Sequence, residues 1–348
     1  MKTKLLAIAA IIVTLISNSS WAALKSGEGI IRDPVTGDYT ATFWDADDEG
    51  TEGFSTATLA TATKIDPTLT SFIKRMENGQ IRYAYKLLNG KNSKQPIERF
   101  NLYNLPANIT IVGSTTITEG GKRMDLFDSA ITSPNKNWYG SATRGKGLAI
   151  SWYFDSPNYD SRLGLQPNIA LGGFSFTSSD LPGLGIAQLL GNTGYHAFQP
   201  VGESAFASDV AGQMTSIEEK DFVPRNAAVP MISVSVPFAP ALLLDALHNH
   251  MLTWEKQQLV ESTFLAQLDR YLVAAAEAFR HNQSKVAREH LATVRELLKK
   301  EHADLERADE ARDDQDERKN TPRFTIDRLA ARVLDFDVKY VLERTEKD

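Results

Sequence analysis

Up to about Pro240 the chain is written in short alternating runs of hydrophobic and polar residues. The run 81–87 places Tyr83, Tyr85 and Leu87 on one side of an extended strand. The run 148–154 repeats the pattern, with Leu148, Ile150, Trp152 and Phe154 on one side. Residues 39–44, 99–103, 109–117, 171–177 and 231–236 predict further strands. Turn signals fall between them at Asn78-Gly79, Asn89-Gly90, Gly120-Gly121, Ser156-Pro157-Asn158 and Gln166-Pro167-Asn168. No helical pattern alternates with these strands, so the expectation is an antiparallel β-sandwich rather than a parallel α/β sheet. Pro224, Pro230, Pro237 and Pro240 exclude a helix or a central strand, and predict a last edge strand followed by a stiff linker.

After Pro240 there is no glycine and the hydrophobic period becomes helical. Phe264, Leu268, Leu272, Ala275 and Phe279 form one apolar stripe. A second begins after Ser284, a candidate N-cap, and runs through Val286, Ala287, Leu291, Val294, Leu298 and Leu305. A third takes Ile326, Leu329, Val333, Phe336 and Tyr340. Residues 309–320 are almost all charged or amidic and predict a solvated helix end or loop. The expected fold is a β-sandwich over 23–236, then an α-helical hairpin or three-helix domain over 237–348.

The first 22 residues carry a different pattern. Lys2 and Lys4 precede an apolar run from Leu5 to Ile16, and small residues Ser20 and Ala22 follow. That is the pattern of a cleavable secretory signal over 1–22, with the cut between Ala22 and Ala23. The run is too short for a spanning helix, which needs about 20 apolar residues. No later segment is expected to be an integral membrane segment after processing. The sequence has no cysteine, which excludes a lipid-anchored cysteine and any disulfide. Roughly 325 residues would remain, enough for two domains. The net charge of −6 provides no global field for nucleic acid.

Candidate chemistry is sparse. Asp45, Asp47, Glu49 and Gly50 fall at positions one, three, five and six of a calcium loop, with Asp48 and Glu52 nearby. Position twelve is Thr56, which cannot supply a bidentate carboxylate, and no helix is expected on either side. The stretch therefore reads as a solvated acidic hairpin turn, with Asp45, Asp47, Glu49 and Glu52 as the only metal-ligand candidates and calcium as the only candidate ion. The histidines (196, 248, 250, 281, 290, 302) lack zinc-ligand spacing. Gly183-Leu184-Gly185 lacks the third glycine of a dinucleotide loop, with Gln188 in its place, and reads as a turn before a short strand or helix. Neither Ser175 nor Ser204 sits in a nucleophile elbow. Carboxylates are plentiful, so a glycosidase pair stays open, but no pair stands out. Trp138, Tyr139, Trp152, Tyr153 and Tyr159 are either core aromatics or a carbohydrate platform, and core packing is the expectation.

Several runs carry a resemblance. They are Leu148-x-Ile150-x-Trp152, Leu165-x-Pro167, Leu171-x-Gly173-Phe174-Ser175-Phe176-x-Ser178 and Leu181-Pro182-Gly183. Upstream, Tyr83-x-Tyr85-x-Leu87 and Gln95-Pro96-Ile97-x-Arg99-Phe100-x-Leu102 join them. Together they resemble an uncharacterised family of exported bacterial proteins, in which the middle reads roughly SLSGFSF and then LPG. Asn168 stands where that pattern usually has glycine. The helices, especially 265–298, are similar to small helical modules of bacterial secreted proteins. The resemblance brings no catalytic residue or cofactor. It implies a periplasmic or secreted, non-catalytic binding or structural protein whose partner is an extracytoplasmic polymer or protein. The alternative is an extracytoplasmic hydrolase acting on a polysaccharide or another envelope polymer.

Overall fold

Tyr83, Tyr85 and Leu87 are buried while Arg82, Lys86 and Leu88 are exposed, as alternation along one strand requires. The structure is a computed structural model. It describes residues 27–46, 52–106, 108–112, 115–119, 122–126, 130–144, 147–154, 163–194, 220–310 and 325–346, with isolated positions between 210 and 217. The expected signal segment 1–22 and its cut at Ala22–Ala23 lie outside the described residues, as do Asp47, Asp48, Glu49, Tyr159, His196, Ser204 and 311–320.

The described chain forms two compact units. The smaller contains one antiparallel sheet of β1 (Gly29–Arg32), β2 (Tyr39–Ala46) and β3 (Glu52–Leu59). Trp44 and Phe54 face each other across its β2–β3 register and meet edge to face at 5.1 Å.

The larger unit is an antiparallel β-sandwich followed by helices. Its strands are β4 (Pro67–Arg75), β5 (Ile81–Asn89), β6 (Ile97–Leu105), β7 (Thr115–Glu119), β8 (Lys122–Leu126), β9 (Ile131–Thr132), β10 (Trp138–Arg144), β11 (Leu148–Phe154), β12 (Ile169–Ser178), β13 (Leu181–Gly191) and β14 (Val223–Ile232). One sheet runs β10-β11-β6-β13-β14 and the other β4-β5-β12-β9, while β7 and β8 form a separate hairpin. Aromatics fill the space between the sheets. Trp152 stacks on Phe100 at 4.9 Å, Phe174 meets Trp138 edge-on at 5.0 Å, and Tyr85 meets Phe100 edge-on at 5.3 Å. The Tyr85 hydroxyl crosses the core and donates to the Ala228 carbonyl at 2.8 Å.

Several strands depart from the expected pattern. β4 breaks the alternation at its centre: Leu69 and Ile73 pack on the core, but Ser71 between them points inward and receives the Ala228 N–H at 3.1 Å, while Phe72 points out and is 46% exposed. Gly183-Leu184-Gly185 lies inside a central strand, not in a turn. Residues 181–184 are all buried, so the alternation that marks a one-sided strand is missing. A Cβ on Gly183 would lie 2.7 Å from the Met231 side chain and 3.0 Å from His250 Nδ1, so only glycine admits these neighbours. The last strand covers 223–232 instead of 231–236, and it lies at the sheet edge, where Pro224 and Pro230 are tolerated. Between residues 109 and 112 the chain is a loop pinned to the β12–β13 turn, with Thr110 N–H donating to Asp180 Oδ2 at 2.7 Å. Asn168 takes the left-handed conformation, φ 62°, which glycine adopts most readily.

Four helices follow, where a hairpin or three were expected: α1 (Pro240–Lys256), α2 (Ser262–Arg280), α3 (Ser284–Glu310) and α4 (Arg328–Arg344). Pro240 sits at the start of α1, where its missing N–H does no harm. Consecutive helices pack on one another, and α4 also packs on β13, β14 and β4. Helices and sandwich thus share one hydrophobic core inside one compact unit, so the boundary expected between 236 and 237 falls within that unit. Contact on two sides explains why Ala330, Ala331, Val333, Leu334, Val338, Tyr340 and Val341 are all buried on α4. The α3 stripe is Ala287, Leu291, Val294 and Leu298, whereas Val286 points to solvent one helical step away.

Candidate binding face

The four-stranded sheet contains no aspartate or glutamate in any of its strands. Its charged residues are Lys74, Arg75, Arg82 and Lys86, in a chain with 44 acidic and 38 basic residues. Arg75 points toward α4, where it donates to Glu343 at 2.6 Å and lies 4.9 Å over the Tyr340 ring. The other three point outward. Lys74 and Lys86 have no carboxylate partner among the described residues, and Arg82 Nη2 donates to the neutral Ser175 Oγ at 3.1 Å.

Register fixes the layout of this outer face. Lys74 stands opposite Arg82, which stands opposite Thr177. The next outward row is Phe72, Ala84 and Ser175, and the one after is Thr70, Lys86 and Gly172. Thr68, Leu88 and Ala170 complete the face. The side chains at Ala84 and Gly172 are small, and Phe72, opposite Ala84, is exposed. Directly opposed like charges destabilise a sheet, so the Lys74–Arg82 pairing marks a place where an anion would relieve repulsion.

The residues singled out in the sequence do not gather into a second site. Asp45 and Glu52 lie near the ends of β2 and β3, so strands flank the acidic stretch, and its central residues are outside the described set. Among the described residues no group of three metal-ligating side chains comes together. His248 pairs through Nδ1 with Asp269 between α1 and α2. His250 is half-buried against β13, and this desolvation pushes its pKa down. His290 lies beside Tyr271 on α2, and His281 ends that helix. The aromatic group divides: Trp138 and Trp152 are core, while Tyr139 and Tyr153 face outward as a neighbouring pair with ring centroids 5.0 Å apart.

A cavity of about 470 Å³ is lined by three carboxylates, Glu255, Glu261 and Asp327, with Gln258, Leu259, Val260 and Ser262. Asp327 is already engaged, because its carboxylate accepts the Leu329 and Ala330 N–H groups at 2.8 and 3.1 Å as the α4 cap. No aromatic side chain lines the opening. A further carboxyl, Asp337, is fully buried on α4, and neither of its oxygens has a hydrogen-bond partner. Burial holds it well above the usual carboxylate range.

No protein-family model matches this chain, and no curated protein matches it. Sequence reasoning missed Lys74, Arg82 and Lys86, because a lone outward lysine or arginine is ordinary on any strand. The available signal was the complete absence of acid from β4, β5 and β12 together, which becomes visible only once these strands are known to be neighbours.

Proposed function

We propose that this chain is an exported, non-catalytic binding protein of the bacterial envelope or the surrounding medium, acting through the outer face of its four-stranded sheet. The observation that carries the reading is the outer face bearing Lys74, Arg82, Lys86 and Phe72 among hydroxyls, with no acid in its strands. A face of this kind holds a ligand by charge and hydrogen bonding, and its strands offer no carboxylate to act as general acid or nucleophile. Export rests on the pattern of residues 1–22 and on the resemblance to exported bacterial proteins. A periplasmic or secreted polymer is the natural occupant of an extended, open face.

A hydrolase is the second reading, favoured by Glu255 and Glu261 at one cavity. The test combines cell fractionation with incubation of the purified protein and envelope polymer. The binding reading expects an extracytoplasmic protein beginning at Ala23 that retains polymer, with Glu255→Gln and Glu261→Gln retaining it equally. A protein that stays in the cytoplasm with Met1 at its start, or one that releases soluble fragments, contradicts it.

A further inference from the structure

We infer that the ligand of this face is an anionic polysaccharide laid along β5, with one acidic group held between Lys74 and Arg82 and a second at Lys86; this rests on the binding reading above. The two cationic positions on β5 are four residues apart, about 13 Å at the usual strand rise. One small anion fills only one of them. A chain with repeated acidic groups fills both.

The row between the two positions carries Phe72 opposite Ala84. Ala84 keeps the floor low, and the exposed ring of Phe72 offers an apolar face beside it. An aromatic face flanked by the threonine hydroxyls of Thr70 and Thr177 suits a sugar ring, which has apolar C–H faces and a polar rim. Arg82 is oriented by its bond to Ser175, and the guanidinium keeps further donors for a carboxylate. An anionic membrane is the less fitting occupant. Its insertion needs contiguous apolar area, whereas Phe72 and Leu88 are separated by the row that carries Lys86.

The experiment measures binding of protein purified from a full-length gene to three probes: a polyuronate, neutral dextran of similar length, and vesicles containing phosphatidylglycerol. The expected result is polyuronate binding that weakens with added salt, since exposed charges are screened over about 8 Å at physiological ionic strength. Dextran should not bind. The Lys74→Gln/Arg82→Gln double variant should weaken polyuronate binding about tenfold, the scale expected for two exposed ion pairs. Phe72→Ala should weaken it without changing the salt dependence. Thermal melts check that the variants stay folded, as their exposed positions predict. Polyuronate bound equally by wild type and the double variant overturns the inference, as does equal binding of dextran. Stronger binding to vesicles than to polyuronate reassigns the face to a membrane. If none of the probes binds while the exported protein still retains its own envelope polymer intact, this inference fails and the broader binding reading survives. If the polymer is cut, both fail.

Discussion

Arg75 at the end of β4 donates to Glu343 on α4 at 2.6 Å, tying the sandwich to the last helix of the chain. The same guanidinium lies over Tyr340, whose ring also meets Phe238 at 6.1 Å. The ion pair is partly exposed, so Arg75→Ala should cost no more than about 1 kcal/mol. The hydrophobic contact beneath it matters more. A fragment ending at residue 235 loses α4 from β13, β14 and β4, and leaves their apolar face in water. Such a fragment is expected to be insoluble or to lack a cooperative melt. A soluble fragment with a sharp thermal transition would show that the sandwich and the helices do not share a core.

Asp337 gives stability a definite pH dependence. Burial holds its carboxyl well above the usual range, so the folded chain keeps a proton that the unfolded chain releases above about pH 4. Between those values the folded state binds more protons, and its stability falls as pH rises. Asp337→Leu removes two unpartnered buried oxygens and should stabilise the fold at neutral pH by about 1–3 kcal/mol. The variant should also lose stability less steeply than wild type as pH rises above about 4. Denaturant midpoints across pH, unchanged by the substitution, would contradict this.

Neighbouring aromatics should behave in opposite ways. Trp152 is fully buried between the sheets, and Trp152→Ala should destabilise by about 3–5 kcal/mol. Tyr153, next in sequence, faces outward, and Tyr153→Ala should cost well under half as much. Urea denaturation of both variants checks the assignment of faces.

Much of this architecture was legible. β5 and β11 alternate cleanly because one side faces the core and the other faces water. The stripe from Phe264 to Phe279 is buried in full for the same reason. Legibility failed where a segment is covered on both sides, as at β13, or where polarity is inverted, as at Ser71 and Phe72. The candidate face was illegible for a related reason: Lys74 and Arg82 are separated in sequence by a turn, and only strand pairing makes them opposite neighbours.

Calcium should have no specific effect. The acidic stretch 45–52 has Thr56 where a calcium loop needs its bidentate carboxylate, and β2 and β3 flank it. Millimolar calcium should raise the melting temperature no more than the same concentration of magnesium. A calcium-specific rise abolished by Asp47→Ala would assign the stretch as a metal site instead.

Binding without turnover leaves the length of the bound polymer unchanged, and that length can be measured. Polysaccharide extracted from the envelope of the expressing cells is incubated with the purified protein, released with salt and sized by gel filtration. The polymer is expected to bind at low salt, to elute from the protein at high salt, and to keep its original length however long the incubation. A progressive shift to shorter chains, lost in Glu255→Gln or Glu261→Gln, would contradict it and place the chemistry at the acidic cavity.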